Sequence, residues 1–353
     1  MLYPIMNLKD GLLFLLIALA SVPFFSCTRT VYVPEDAVVQ DGKYDTAFPR
    51  FEAADQLEEL VQSIRMINAI ASYKHVTFAE DSRLTRAAIN DEVIEEHATH
   101  IDFFNDTASS TATVIHHNRE RLAFLTSAHI VHFPDTLIFY FENEQDDHQR
   151  FVQSIAFKKR QQNYIADIAG ADDLDILALD EALDVALLGQ AITPPLPVGK
   201  VRVFDYPLGD ADDLSWGSFV YIIGYPAGVK MITRGLVSKT FRGRPAFLID
   251  APFNRGFSGG AVLAVRDGAP HFELVGLAMQ SASNTTYRLI PPKDDVLHDY
   301  DPRVPYDGEI FLERQQEIRY GITICVPINA IRDFVRGHAA RLAEQGYRLR
   351  LFE

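Results

Sequence analysis

Gly256-Phe257-Ser258-Gly259-Gly260, followed directly by Ala261-Val262-Leu263-Ala264-Val265, is the stretch on which the fold turns. A serine set this closely among glycines suits a backbone turn that exposes one hydroxyl and aims peptide N–H groups at a developing negative charge. Gly256 can take torsions closed to other residues, and Gly259 and Gly260 leave room for a chain to pass over the serine. The same residues also satisfy G-x-S-x-G, the elbow in which a serine joins a strand to a helix. That elbow needs a helix immediately after the serine, with the acid and the histidine downstream. Ala261–Val265 reads as a strand instead, so the elbow is disfavoured and an antiparallel β architecture is expected.

A serine hydroxyl is a poor nucleophile near neutral pH and needs a base to take its proton. Histidine suits that task, with a carboxylate behind it to fix the tautomer and stabilise the imidazolium. The chain holds 11 histidines, so a histidine alone says nothing. His129 stands out by context, in Leu125-Thr126-Ser127-Ala128-His129-Ile130-Val131 just after a β-run. Asp184 opens Asp184-Val185-Ala186-Leu187-Leu188, and Asp175, in Asp175-Ile176-Leu177-Ala178-Leu179, is a second candidate acid. The Val-Ala-Leu-Leu continuation favours Asp184. His116, His117 and His132 form no convincing ligand set, and neither a metal nor a cofactor is expected.

Short strands separated by turn residues recur from residue 100 onward. Thr111–Ile115 and Leu122–Thr126 flank the polar turn His117-Asn118-Arg119-Glu120 and read as a hairpin. Further strands are expected at Thr136–Phe141, Asp175–Leu179, Val185–Leu188, Phe219–Ile223, Phe247–Ile249, Ala261–Val265 and Phe272–Leu277. Pro194-Pro195-Leu196-Pro197 cannot sit in a central strand and serves as a link between two β units. Leu57, Leu60, Val61, Ile64 and Ile67 recur at helical steps, and Asp81-Ser82 can cap a second helix bearing Leu84, Ile89, Val93 and Ile94. A helical extension over 51–98 is therefore expected. Ile328, Ile331, Phe334, Val335 and Leu342 predict a terminal helix over 328–348. The stretch 284–320 carries Asp294, Asp295, Asp299 and Asp301 and reads as a solvated acidic insertion.

Three motifs in one order resemble a known family. Thr126-Ser127-Ala128-His129-Ile130-Val131 resembles the T-A-A-H-V motif of trypsin-like serine peptidases. Asp184-Val185-Ala186-Leu187-Leu188 is similar to their D-[IV]-A-L-L segment, and Gly256–Gly260 to their G-x-S-G-G. Gly224-Tyr225-Pro226-Ala227-Gly228 with Thr233–Ser238, then Asp250-Ala251, Asn254 and Gly256, resembles the bacterial HtrA-like branch. So does Gly321-Ile322-Thr323-Ile324-Cys325-Val326-Pro327 before the last helix. The similarity covers about residues 100–338, and too few residues follow the last helix for a PDZ module.

The resemblance implies a mainly β fold of two antiparallel barrels, at about 99–195 and 205–327 within a domain over 99–340. It implies a serine endopeptidase acting on proteins or peptides, with Ser258 as nucleophile, His129 as base and acid, and Asp184 orienting His129. The oxyanion hole would be the backbone N–H groups of Gly256 and Ser258. Met279, Gln280 and Ser281 fall where the family lays substrate along a strand edge. Pro252 falls at the base of the primary specificity pocket, where the absence of an acid leans toward small or apolar substrate side chains. The competing expectation is an inactive relative that keeps the groove as a peptide-binding or scaffold surface. Phe257 departs from the Asp or Asn of the relatives and cannot pair with an inserted amino terminus. Sequence leaves open whether the oxyanion loop is preformed.

The compartment is read from the amino terminus. Lys9-Asp10 precede an apolar run from Gly11 to Phe25, closed by Ser26-Cys27. The run is short for a bilayer span, which needs about 20 apolar residues. It resembles a bacterial lipoprotein signal over 1–26, with Cys27 lipidated and 27–50 as a tether; a simple secretory signal and an uncleaved anchor are the alternatives. That implies an exported, lipid-anchored protein of the bacterial cell envelope, periplasmic or at the outer membrane. Cys325 is the other cysteine, in an apolar run, and is expected as a buried thiol. With 353 residues and 48% apolar composition the chain can fold by core burial without a disulfide. A net charge of −15 argues against sequence-independent nucleic-acid binding. Relatives of the HtrA-like branch are often trimers, so a homo-oligomer is compatible, although no residue here marks it.

Overall fold

The computed structural model describes residues 40–48, 52–141, 150–197, 199–238, 245–290 and 311–353, with 281–290 and 311–320 described by their backbone. The expected signal, Cys27, most of the tether and the centre of the acidic stretch lie outside the described residues. In chain order the elements are α1 (Ala54–Leu60), β1 (Ile64–Phe78), α2 (Asp91–His97), β2 (Ala98–His117), β3 (Arg121–Thr126), α3 (Ala128–Val131) and β4 (Thr136–Tyr140). Next come β5 (Val152–Tyr164), β6 (Asp175–Asp180), β7 (Val185–Ala191), β8 (Phe219–Gly224) and β9 (Met231–Ser238). The chain closes with β10 (Phe247–Ile249), β11 (Gly260–Val265), β12 (Phe272–Ile290), β13 (Phe311–Pro327) and α4 (Ile328–Glu344).

Two antiparallel β units follow one another. The first is a seven-stranded sheet in the order β4-β5-β1-β2-β3-β7-β6, curled as a half-barrel, and the second closes as β10-β13-β12-β11-β8-β9. The expected hairpin is β2–β3, paired from Thr113 opposite Leu125 to His117 opposite Leu122. The proline-rich link lies between β7 and β8, outside any strand. The fold is thus the mainly β, two-barrel class that the trypsin-like motifs imply, with its few helices toward the ends.

The expected helical extension over 51–98 is corrected in its centre. Helix α1 ends at Leu60, and from Ile64 the chain becomes β1, which pairs with β2 on one side and β5 on the other. Ile64 and Ile67 fit a helical step, but the deciding pattern is alternation: Ile67, Ala69, Ala71 and Tyr73 are buried with half-buried neighbours between them. Two of the four inward positions are alanine, which blunts a period of two as read from sequence. The first unit therefore begins near residue 64 rather than 99. The acidic stretch is corrected too. Its flanks extend β12 and β13 well past the expected Leu277, paired from Ser283 opposite Ile318 to Ile290 opposite Phe311.

The largest apolar cluster lies between the two β units and α4, joining Leu125 and Leu187 of the first to Ile223, Leu263 and Phe272 of the second. Helix α4 contributes Ile328, Ile331, Val335 and Leu342, all buried. Each such side chain contributes about 1.5–3 kcal/mol on burial. Cys325 is fully buried on β13, where desolvation pushes its thiol well up and leaves it unreactive.

The end of β2 carries two half-buried histidines, His116 and His117, the first of them against the carboxy-terminal segment. His116 lies 6.2 Å, ring to ring, from Tyr347, and the Nε2 atoms of His116 and His117 have no hydrogen-bond partner among the described residues. Burial pushes both imidazoles down from the ordinary value of about 6.5. Above that value both states are neutral and nothing is lost. As pH falls below it, the unfolded chain takes up protons more readily than the folded one, so stability declines toward the lowered folded values. The melting temperature is expected to drop from pH 7 to pH 5, and to drop less in a His116→Gln/His117→Gln variant. Parallel curves for the two proteins would remove the histidines as the cause.

Candidate active site

The seam between the two β units brings His129, Asp184 and Ser258 together. His129 lies on the one-turn helix α3 just after β3, Asp184 at the β6–β7 turn, and Ser258 just before β11. Asp184 adopts a left-handed backbone, φ 60°, which aspartate tolerates better than most residues. That turn aims its carboxylate at His129 twice. Oδ1 accepts the backbone N–H of His129 at 2.8 Å, and Oδ2 lies 2.7 Å from the ring Nδ1. The aspartate side chain is 13% exposed and the imidazole 46%. The opposite ring atom, Nε2, lies 3.1 Å from Ser258 Oγ. Asp175, the other candidate, is exposed at the start of β6, opposite Gly189. The carboxylate therefore fixes the ring with Nδ1 protonated and leaves Nε2 to take the serine proton.

Ser258 Oγ also lies 3.0 Å from the Met279 carbonyl. Met279 falls at a register break in the β12–β13 ladder, between Ala278 opposite Cys325 and Gln280 opposite Ile324. A bulge releases that carbonyl from cross-strand pairing and turns it toward the serine. Gln280 is exposed beside it, and the backbone of Ser281 pairs opposite Thr323. Pro252 is exposed between buried Ala251 and Phe253, and Thr323 Oγ1 donates to the Ala251 carbonyl at 2.9 Å.

The nucleophile loop is held by contacts that no sequence motif announced. Thr111, fully buried on β2, donates its N–H to the Ser258 carbonyl at 3.0 Å and its hydroxyl to the Gly256 carbonyl at 2.6 Å. The same hydroxyl accepts the Tyr225 N–H at 2.9 Å, and Ser110 donates its hydroxyl to the Ser258 carbonyl at 2.5 Å. Phe257, the departure from the trypsin-like motif, is 3% exposed and packs in an apolar cluster of the second β unit with Phe253 and Phe247. Hydrophobic anchorage thus stands where the trypsin-like motif would place a polar side chain.

Two further bonds orient the peptide groups that matter for an oxyanion. The Arg255 carbonyl accepts the Ala227 N–H at 2.9 Å, and the Phe257 carbonyl accepts the Gly260 N–H at 2.8 Å. In a trans peptide the N–H points opposite to the C=O. The N–H groups of Gly256 and Ser258 therefore face away from these anchors, and neither donates elsewhere among the described residues. The arrangement can activate a hydroxyl, and it leaves two donors free for a negative oxygen.

Residues 110–277 match the trypsin-like peptidase domain family. The match to this trypsin-like domain runs from β2 into β12 and includes His129, Asp184 and Ser258. Among solved structures, a thermostable serine protease, AL20, from an extremophilic microorganism is similar at 12% identity, over 60% of this chain and 85% of its own, with a TM-score of 0.31. No curated protein matches the chain. Among the described residues, no group of three or more histidine, cysteine or acidic side chains is placed to hold a metal, and no helix is long and apolar enough to cross a membrane.

Thr111 was missed by sequence reading because a threonine in a β-run carries no catalytic signature. Thr111→Val keeps the shape, removes the hydroxyl, and leaves the Gly256 carbonyl and the Tyr225 N–H unpaired. A stability loss of about 1–3 kcal/mol is expected in urea titrations. A fall of about tenfold or more in kcat should accompany it, since the loop loses its register.

Proposed function

We propose that this chain is a serine endopeptidase that cleaves proteins or peptides through an acyl-enzyme on Ser258. His129 takes the serine proton and later gives it to the leaving amine, while Asp184 holds the ring and stabilises the imidazolium. The Gly256 and Ser258 N–H groups bind the tetrahedral oxyanion, substrate lies along Met279, Gln280 and Ser281, and Pro252 borders a pocket for small or apolar side chains. No cofactor enters this scheme. The single observation that carries the reading is the unbroken line Asp184 Oδ2, His129 Nδ1, His129 Nε2, Ser258 Oγ, with spans of 2.7 and 3.1 Å. The motifs around residues 224–238 and 250–260 favour the HtrA-like branch. The Ser26-Cys27 junction favours an exported protein held in the bacterial envelope by a lipid on Cys27.

A fluorophosphonate probe tests the nucleophile. It should label the purified protein and fail on Ser258→Ala; an unlabelled wild type, even with peptide ligand present, would leave a peptide-binding relative as the better reading. Radiolabelled palmitate tests the anchor: it should enter the wild type and not Cys27→Ser, and equal incorporation would remove the lipoprotein assignment.

A further inference from the structure

The nucleophile loop is bounded by two different elements. On one side lies β12, through the Gly259 N–H to the Ala278 carbonyl at 2.8 Å and the Ser258–Met279 contact. On the other side lies the turn Tyr225–Gly228, whose Ala227 N–H holds the Arg255 carbonyl. In the peptidase reading, a substrate whose acyl portion followed β12 would carry its leaving group past Gly256 and over that turn. What waits beyond the turn is positive charge. Lys230 donates to the Val61 carbonyl at 2.8 Å and stands 5.4 Å from the centre of the Tyr225 ring. The Tyr225 hydroxyl in turn donates to the Ile64 carbonyl at 3.4 Å, next to Arg65.

Arg65 is 15% exposed, and its buried Nε has no hydrogen bond among the described residues. Asp167 stands at ion-pair distance, 3.5 Å, with its own side chain 58% exposed. Burial, then the nearby Arg65 charge, push the Lys230 ammonium down, while Asp167 opposes them. Arg255, exposed on the nucleophile loop itself, adds a third cation. Two half-buried cations facing one solvated carboxylate leave a local positive excess, in a chain of net charge −15. Partly desolvated cations with spare donors gain most from an anion that can pair with both.

We propose that Arg65 and Lys230 form a subsite for a carboxylate on the leaving-group side of the scissile bond. The carboxylate comes from an acidic side chain a few residues beyond the cut or from the free carboxy terminus of a short substrate. This deepens the peptidase reading and rests on it. Basic residues at the same substrate positions are repelled, so the subsite selects by rejection as well as by attraction.

The test uses internally quenched peptides that differ only beyond the cut: Glu against Gln against Lys within the chain, and a free against an amidated carboxy terminus. A preference of about tenfold in kcat/KM for Glu over Gln is expected, falling as salt rises. Preference confined to the free-terminus pair assigns the subsite to a terminal carboxylate, and preference in the internal series to an acidic side chain. Lys230→Gln should lower the preference to about twofold and Lys230→Glu should turn it toward Lys. A second arm measures binding of the same peptides, dye-labelled, to Ser258→Ala by fluorescence anisotropy. Melting curves confirm that each variant is folded. Equal kcat/KM and equal binding for Glu, Gln and Lys, in a protein that fluorophosphonate labels, overturns the subsite and leaves the peptidase reading standing. Failure to label overturns the peptidase reading itself, and the binding arm then decides whether the cations select a carboxylate.

Discussion

Ser258→Ala is expected to lower kcat by about six orders of magnitude, His129→Ala by nearly as much, and the double variant by no more than either. The three side chains act as one device, so removing any link removes the path for the proton. Asp184 accepts both the backbone and the ring N–H of His129, which ties helix α3 to the β6–β7 turn as well as fixing the tautomer. Asp184→Asn would present a donor to a ring atom that already donates, and turnover should fall by about 10⁴. Steady-state kinetics on one peptide substrate read all of these. Losses that multiply across the double variant would show that Ser258 and His129 act independently and would sink the triad assignment.

Gly256→Ala is the second large effect, and it should damage folding and chemistry together. Gly256 has φ +103°, a backbone conformation hostile to L side chains, and a Cβ there would stand 2.1 Å from the Tyr225 carbonyl oxygen and 3.2 Å from Pro226 Cα. These are backbone atoms of the turn that pins Arg255, so no side chain can swing aside. Either the loop shifts, taking the Gly256 N–H with it, or the turn does. Loss of one oxyanion donor alone costs about 10²–10³ in kcat. A kcat within threefold of wild type, with an unchanged melting temperature, would show that this N–H has no part in the reaction.

Phe257 shows how a sequence signal can be noticed without its structural setting being legible. As a departure from the trypsin-like motif it leaves open, in sequence, whether the oxyanion loop needs an activator. In the fold it is a core side chain, and the Arg255–Gly256 and Phe257–Ser258 peptides are held through the Arg255 and Phe257 carbonyls. The same limit hid β1. Its inward positions include Ala69 and Ala71, which bury without announcing it, and its partners β2 and β5 stand tens of residues away.

What the sequence determined by itself is local. A glycine-flanked serine before an apolar strand, a histidine after a β-run, and an acid at the mouth of another strand each follow from torsional freedom and side-chain period within a few residues. Their order along the chain pointed to the two-barrel fold. Only the tertiary structure decided which aspartate meets His129, that Thr111 grips the nucleophile loop from the other β unit, and that Lys230 and the strand bearing Arg65 meet at Tyr225. Those contacts join residues that a linear pattern cannot relate, because barrel closure and strand register, rather than sequence spacing, set their distances.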